Sequence, residues 1–214
     1  MLLKELMTDW STVGLGIVAL LVNARTFYNF ASRKTTRGNQ YSVLLLTVVF
    51  HVLFSISSCS YCIYLICVGN GSKFSDTYIF WSGALTFSSA LSVICGNIGV
   101  VIDRILAIHF PVLYNVKYHK ICLHLSSFIM IAALLGTLGT YSLATTSPST
   151  ERAIFSRVVN FQVIIGVYIT KSVVLVINIP ITLIFMWKIR TLKKVTQSTP
   201  INLSLKIVSK RSKT

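Results

Sequence analysis

Acidic residues are scarce in this sequence. It has five Asp and Glu residues among 214, against 20 Lys and Arg. Carboxylates carry much of general acid–base catalysis and of hard-metal binding, so this shortage leaves little material for either. The sequence also lacks a glycine-rich nucleotide loop, a zinc-binding helix motif and a serine-nucleophile elbow. These absences argue against an enzyme, and we expect no cofactor and no metal site.

Charge of either sign is also low. Charged residues make up 12% of the chain and hydrophobic residues 54%, whereas soluble domains carry about a quarter charged residues. The net charge of +15 could suggest nucleic-acid binding, which needs basic residues gathered on one solvated face. Here they lie mostly in short segments between long apolar spans. The composition therefore predicts a membrane protein that does not bind nucleic acid.

The five cysteines do not form a recognisable framework. Cys59 and Cys62 have C-x-x-C spacing, but they lie inside an apolar stretch and no second pair exists. Small apolar helix residues explain them better than a metal or redox site does.

Five apolar stretches are long enough to cross a bilayer as helices, which takes about 20 residues. None alternates with the period of two that a barrel strand requires. We predict an all-α membrane protein in which a five-helix bundle fills residues 1–188 and a basic cytoplasmic tail fills 189–214. The predicted spans are about 10–30, 41–68, 79–102, 122–145 and 159–187.

Lysine and arginine are unevenly divided between the two sides of these spans. Fourteen lie on the side that holds loops 31–40 and 103–120 and the tail, and four lie on the other side. By the positive-inside rule the N-terminus should be outside and the C-terminus cytoplasmic. Asn70, in the sequon Asn70-Gly71-Ser72, then falls in an outer loop and is a glycosylation candidate, whereas Asn202 falls in the cytoplasm.

Polar residues recur at helical spacing within the spans and should face the bundle interior, because they are costly against lipid. Packing alone accounts for the serines and for Thr47, since small residues bring membrane helices close together. We expect His51 to be a hydrogen-bonded structural residue and Asn23 to bond between helices. Pro180 should kink or unwind the fifth span locally.

Lys171 is the exception among these polar residues, because it lies too deep in the fifth span to reach the interface easily. A lysine at a helix centre costs roughly 2.5–3.5 kcal/mol on insertion scales. It must meet a water-filled cavity, lose its proton or pair with a group outside this chain. Two interpretations of Lys171 stay open: it takes part in a ligand site or cavity, or it is a polar residue that the bundle interior tolerates. Tyr168 and Asn178 share its face, while Thr86, Asn97 and Arg104 share a face of the third span, with Ser89 beside them.

One stretch carries a recognisable motif. Asp103-Arg104-Ile105-Leu106-Ala107-Ile108, followed by Pro111 and Tyr114, resembles the signature that ends the third helix of rhodopsin-like G-protein-coupled receptors. The whole pattern of spans resembles a nematode serpentine chemoreceptor, with the class BC group as the subclass. Asn23 and Pro180 match single family landmarks.

The chain departs from the broader receptor family in several ways. The second span has His51 and no aspartate, the usual disulfide between the third helix and the second outer loop cannot form, and the fourth span has no tryptophan. Five spans are present where the family has seven, and the segment Ile201–Val208 is too short for another crossing.

The resemblance implies a chemosensory receptor in the plasma membrane of a sensory neuron, with a small-molecule ligand and a heterotrimeric G protein as partners. Asp103, Arg104, Pro111 and Tyr114 would form the G-protein switch, with Arg104 released from Asp103 on activation. Candidate ligand residues are Thr86, Ser89, Tyr168 and Lys171. The alternative is a truncated, non-signalling receptor product that associates with other membrane receptors.

Overall fold

The computed structural model describes residues 3–31, 41–69, 75–145 and 155–211. Within these ranges the protein is helical, and the only β-type pairing is an isolated bridge between Thr145 and Val159. The five long helices are α1 (Leu3–Ala31), α2 (Ser42–Gly69), α3 (Asp76–His109), α4 (His119–Leu143) and α5 (Phe161–Arg211). Three short helical segments lie between them: Pro111–Leu113, a π-helical turn at Tyr114–Tyr118, and Phe155–Val158.

Each long helix contains a segment that is long and apolar enough to cross a membrane, so the prediction of an all-α protein with five helices of membrane-spanning length is confirmed. Large apolar side chains such as Leu15 and Phe128 are largely exposed. In a bilayer this surface faces lipid. The buried positions are concentrated on α2 and α3, which form the centre of the bundle, whereas α1 and α5 lie at its edge.

Helix α3 packs closely against α4 because small residues line the contact. A Cβ atom added at Gly99 would lie 2.6 Å from the Ser126 Oγ, and one added at Gly96 would lie 2.7 Å from the Met130 Cε. The Ser92 hydroxyl donates a hydrogen bond across the same contact to the Met130 carbonyl, at 2.9 Å. These positions hold the centre of α3 against α4 along the bundle.

The third helix extends further than the sequence indicated. We predicted that it ends near residue 102 and that residues 103–120 form a loop, but α3 continues to His109 and most of the following residues are also helical. Asp103 and Arg104 interrupt the apolar run of the sequence and so resemble a helix end. The helix nevertheless continues past them, because their side chains have partners within the bundle. Pro111 is what ends the helix, since proline disfavours helical geometry in the residue before it.

The fifth helix also continues past its predicted end. It begins at Phe161 and runs through Pro180 and on to Arg211 without an interruption. The prediction that the helix unwinds locally at Pro180 is therefore wrong, because the helical hydrogen-bonding pattern continues through this residue.

Candidate functional site

Asp103 lies near the end of α3 that leads to Pro111, and its side chain is completely buried, with 0% exposed. The Tyr114 hydroxyl donates a hydrogen bond to its Oδ1 atom at 2.7 Å. Tyr114 is itself buried, in the π-helical turn that follows Pro111. A buried carboxylate is costly unless it is hydrogen-bonded or paired, and this bond satisfies one of its two oxygens.

Arg104 supplies the second partner of this carboxylate. Its Nη2 atom lies 3.5 Å from the Asp103 Oδ2, and its side chain is 23% exposed. Its guanidinium also lies 4.8 Å from the centre of the Tyr41 ring, at the start of α2. The Oδ2 atom has an ion-pair contact but no hydrogen bond among the described residues. Arg104 is thus held by a carboxylate and a ring face while part of it stays accessible.

Pro111 brings Tyr114 to Asp103. The helix α3 stops at Phe110, whose backbone leaves helical geometry, and Pro111 opens the next helical turn. The Tyr114 amide then bonds to the Phe110 carbonyl at 2.7 Å, so the chain turns back at once. The motif residues therefore form one connected cluster: Asp103, Arg104, Pro111 and Tyr114.

The two partners hold Asp103 in different ways. Tyr114 holds Asp103 in place through a short hydrogen bond, whereas Arg104 is held by a longer ion pair and by the Tyr41 ring. Arginine side chains are permanent cations in proteins. The ion pair with the arginine is therefore the longer of the two contacts of Asp103.

The ligand candidates at the other end of the bundle fall into two groups. The Lys171 Nζ lies 5.7 Å from the centre of the Tyr168 ring, and that ring packs edge-on against Phe87 of α3 at 5.9 Å. Thr86 and Ser89 are buried and bond to the backbone of their own helix. The Ser89 hydroxyl faces α2, where it lies 3.5 Å from the Ser57 hydroxyl.

Sequence reasoning missed Phe155, which is 2% exposed and closes this end of the bundle. Its ring packs against Phe87 at 5.1 Å and Tyr141 at 5.2 Å. It also fits against Gly83, where a Cβ atom would clash with it. Phe155 lies in a segment that is too short to show a hydrophobic period. The one hint in the sequence is that it is an aromatic residue between two predicted spans.

A polar cleft of about 450 Å³ lies between α1, α2, α3 and α5. The His51 Nε2 hydrogen-bonds to the Asn97 Oδ1 at 3.3 Å across α2 and α3, as a structural histidine would. The Asn178 Oδ1 accepts a hydrogen bond from Thr182 at 3.3 Å. Asn23 was expected to bond between helices, but its amide donates to the Ala19 carbonyl of its own helix.

The remaining predicted positions need only brief mention. Asn70, the glycosylation candidate, lies outside the described residues. The five cysteines are unpaired, and no cluster of potential metal ligands occurs in the described part of the chain.

Five helices of membrane-spanning length, with a buried acid and its neighbouring arginine at the end of the third, place this chain among the serpentine membrane receptors. The chain belongs to the serpentine type 7TM GPCR chemoreceptor Srbc family, whose model matches residues 1–144. That match covers α1 to α4 and includes the whole Asp103–Tyr114 cluster. The family is one of receptors and not of enzymes. No curated protein and no solved structure matches the chain.

Proposed function

We propose that this protein is a G-protein-coupled chemosensory receptor that binds a small molecule between its helices and signals through Arg104. The observation that carries the proposal is the geometry of Asp103, which is fully buried beside Arg104 and bonded to Tyr114. Membership of a chemoreceptor family supports the same role. The G protein would bind at the end of the bundle where Arg104 is partly exposed.

In the resting state Asp103 and the Tyr41 ring hold Arg104. In the active state Arg104 leaves both and turns toward the G protein, while the Tyr114 hydrogen bond keeps Asp103 satisfied. A ligand shifts this equilibrium only as far as it binds one state more tightly than the other. A ratio of 10⁴ in affinity, about 5.5 kcal/mol, would take a receptor from nearly all resting to nearly all active.

The ligand site that we propose lies beside Tyr168 and Lys171, with Thr86 and Phe87 on the facing helix. The lysine offers an ammonium group in an otherwise apolar and aromatic setting, which suits a small apolar molecule with one carbonyl or acidic group. Ser89 would take part indirectly, since its hydroxyl faces Ser57 of α2 and can couple ligand binding to the α2–α3 contact.

The proposed setting is the plasma membrane of a sensory neuron, with the N-terminus outside and the C-terminus in the cytoplasm. The charge asymmetry of the sequence supports this orientation, because fourteen basic residues lie on the side of Arg104 and four on the other. The cytoplasmic end would then be the one that meets the G protein.

The test is nucleotide exchange on a co-expressed Gα subunit, measured in membranes with and without a panel of small odorants. We expect Arg104→Ala to reduce exchange to the level of membranes without the receptor, while its amount at the cell surface stays unchanged. Arg190→Ala is the matched control, because it removes the same charge from the same end of the bundle. Full exchange with Arg104→Ala would overturn the switch.

The polar cleft favours a second candidate function. Asn23, His51, Asn97 and Asn178 are only half-buried at membrane depth, and polar groups there normally face other helices rather than lipid. If another receptor supplies the covering helices, the chain is a non-signalling partner. It would then leave nucleotide exchange unchanged when expressed alone and alter the surface level of a co-expressed receptor. Asn178→Leu should weaken that association.

A further inference from the structure

Two basic side chains meet at one edge of the bundle. The Lys188 Nζ of α5 contacts the His109 Nε2 at the end of α3. His109 is the last residue of the third membrane-length segment, and the fifth such segment ends three residues beyond Lys188, at Thr191. Both helices therefore bring a nitrogen base to the same boundary between membrane and water.

Within the described part of the chain, neither Lys188 nor His109 forms an ion pair with a carboxylate. Of the five acids in the sequence, four fall in segments that the sequence predicts on the opposite side of the membrane: Glu5, Asp9, Asp76 and Glu151. The fifth, Asp103, is completely buried and is engaged by Tyr114 and Arg104. Lys117 and Lys120, both exposed, add further positive charge nearby in the sequence.

Aromatic residues mark the depth of this contact. Trp187, which precedes Lys188, is 66% exposed, and Phe110, which follows His109, is also exposed. Tryptophan is enriched where membrane proteins pass from the hydrocarbon layer to the headgroups. An exposed tryptophan beside the paired bases is typical of the level at which membrane proteins meet the lipid headgroups.

We propose that Lys188 and His109 bind the phosphate of an anionic phospholipid headgroup. The ammonium group has three N–H donors, an imidazole ring has at least one, and a phosphate accepts several hydrogen bonds at once. His109 is exposed and lysine has a long flexible chain, so the two can part to admit a phosphate oxygen between them. The bound lipid would join the ends of α3 and α5.

The orientation under "Proposed function" would put this site in the cytoplasmic leaflet, which is rich in anionic lipid. The binding itself depends on neither the orientation nor G-protein coupling. It is therefore tested on the full chain in vesicles, where its failure and the failure of the receptor role are separate results.

Trp187 can report on the lipid directly. Replacing Trp10 and Trp81 with phenylalanine leaves it as the one tryptophan of the chain. This chain is placed in vesicles of phosphatidylcholine that contain either dibrominated phosphatidic acid or dibrominated phosphatidylcholine, because bromine quenches tryptophan fluorescence on contact. We expect dibrominated phosphatidic acid to quench the Trp187 fluorescence more strongly than its mole fraction in the vesicle predicts.

The matched variants separate a site from general attraction. Lys188→Ala should lower the relative affinity for phosphatidic acid about tenfold, the usual effect of losing one hydrogen bond to a charged group. His109→Ala should also lower it, and Lys188→Arg should retain it. Arg190→Ala should leave it nearly unchanged, because residues two apart do not share a helix face. Unaltered quenching by dibrominated phosphatidylcholine shows that a variant is folded and inserted.

Two results would overturn the proposal. Equal losses in Lys188→Ala and Arg190→Ala would mean that diffuse charge attracts the lipid. No preference for phosphatidic acid in the parent chain would mean that the lysine and the histidine satisfy each other without a lipid.

Discussion

A buried carboxylate must be compensated locally, and Asp103 is compensated by two unlike partners. The bond from Tyr114 is short and wholly buried, whereas the ion pair with Arg104 is longer and partly open to the surface. Removing one partner of a buried charge lowers the free energy of unfolding by more than the pair contributes to it, because the remaining charge stays buried without compensation. The tyrosine should therefore dominate stability and the arginine should dominate switching.

Tyr114→Phe tests this division of roles. The change removes the hydroxyl from Asp103 Oδ1 and should cost about 1–3 kcal/mol of unfolding free energy, the usual penalty for an unsatisfied buried group. Thermal unfolding can be followed with a thiol-reactive dye, because Cys62 and Cys122 are buried and become reactive on unfolding.

Tyr118→Phe is the control for that experiment. Tyr118 lies in the same π-helical turn and contacts Phe110 through its ring, and its hydroxyl makes no hydrogen bond to the described residues. We expect its unfolding temperature to match that of the parent chain. Similar losses in both variants would contradict the role given to the Tyr114 hydroxyl.

The sequence predicted the members of this residue cluster but not its geometry. Asp103, Arg104, Pro111 and Tyr114 stood out as a motif, and the pairing of Asp103 with Arg104 was expected. That Tyr114 donates to Asp103 was not visible, because it depends on the turn that Pro111 starts. Tyr41 was missed for a similar reason, since its contact with Arg104 joins two helices far apart in the chain.

At the scale of the helices, α3 is the element on which the bundle depends. It contacts α2, α4 and α5, and its glycines let α2 and α4 approach closely. Without a hydrophobic drive between membrane helices, close van der Waals packing of this kind supplies much of the association energy. A large side chain at such a contact should therefore be more harmful than one that faces lipid.

Gly99→Leu should destabilise the bundle, because its side chain would enter the space occupied by Ser126 of α4. Overpacking of this kind typically costs about 1–3 kcal/mol. Gly136→Leu is the matched control, since Gly136 of α4 is exposed and a Cβ atom there meets nothing within 4 Å. Dye-monitored unfolding should show a lower midpoint for Gly99→Leu alone, and equal midpoints would argue against the close contact.

The helices themselves were largely readable from hydropathy, and their ends were not. Five apolar runs predicted five membrane-length helices, because lipid forces each crossing to satisfy its own backbone. The continuation of α3 to His109 was missed, since Asp103 and Arg104 resemble a boundary until their buried partners are known. Phe155 was missed because a four-residue segment has too few positions to show a period.

At the scale of the whole molecule, the two ends of the bundle differ in charge and in contents. One end carries an aromatic cluster around Phe155, with Tyr168 and Lys171 beneath it. The other carries Arg104, His109 and Lys188, and fourteen of the 20 Lys and Arg residues are predicted on that side from the sequence. A receptor needs this polarity, because ligand and G protein meet it from opposite sides of the membrane.

Orientation is the prediction on which both ends depend. An epitope at the N-terminus should be stained by antibody on intact cells, and one at the C-terminus only after permeabilisation, because basic loops stay in the cytoplasm. The two sequons provide an internal comparison, since Asn202 should carry no glycan while Asn70 is on the glycosylated side. Asn202→Gln should then leave the mobility of the protein on a gel unchanged, with or without a glycosidase. Staining of the C-terminus on intact cells, or a glycan on Asn202, would invert the bundle and put Lys171 on the G-protein side, which the proposed mechanism cannot accommodate.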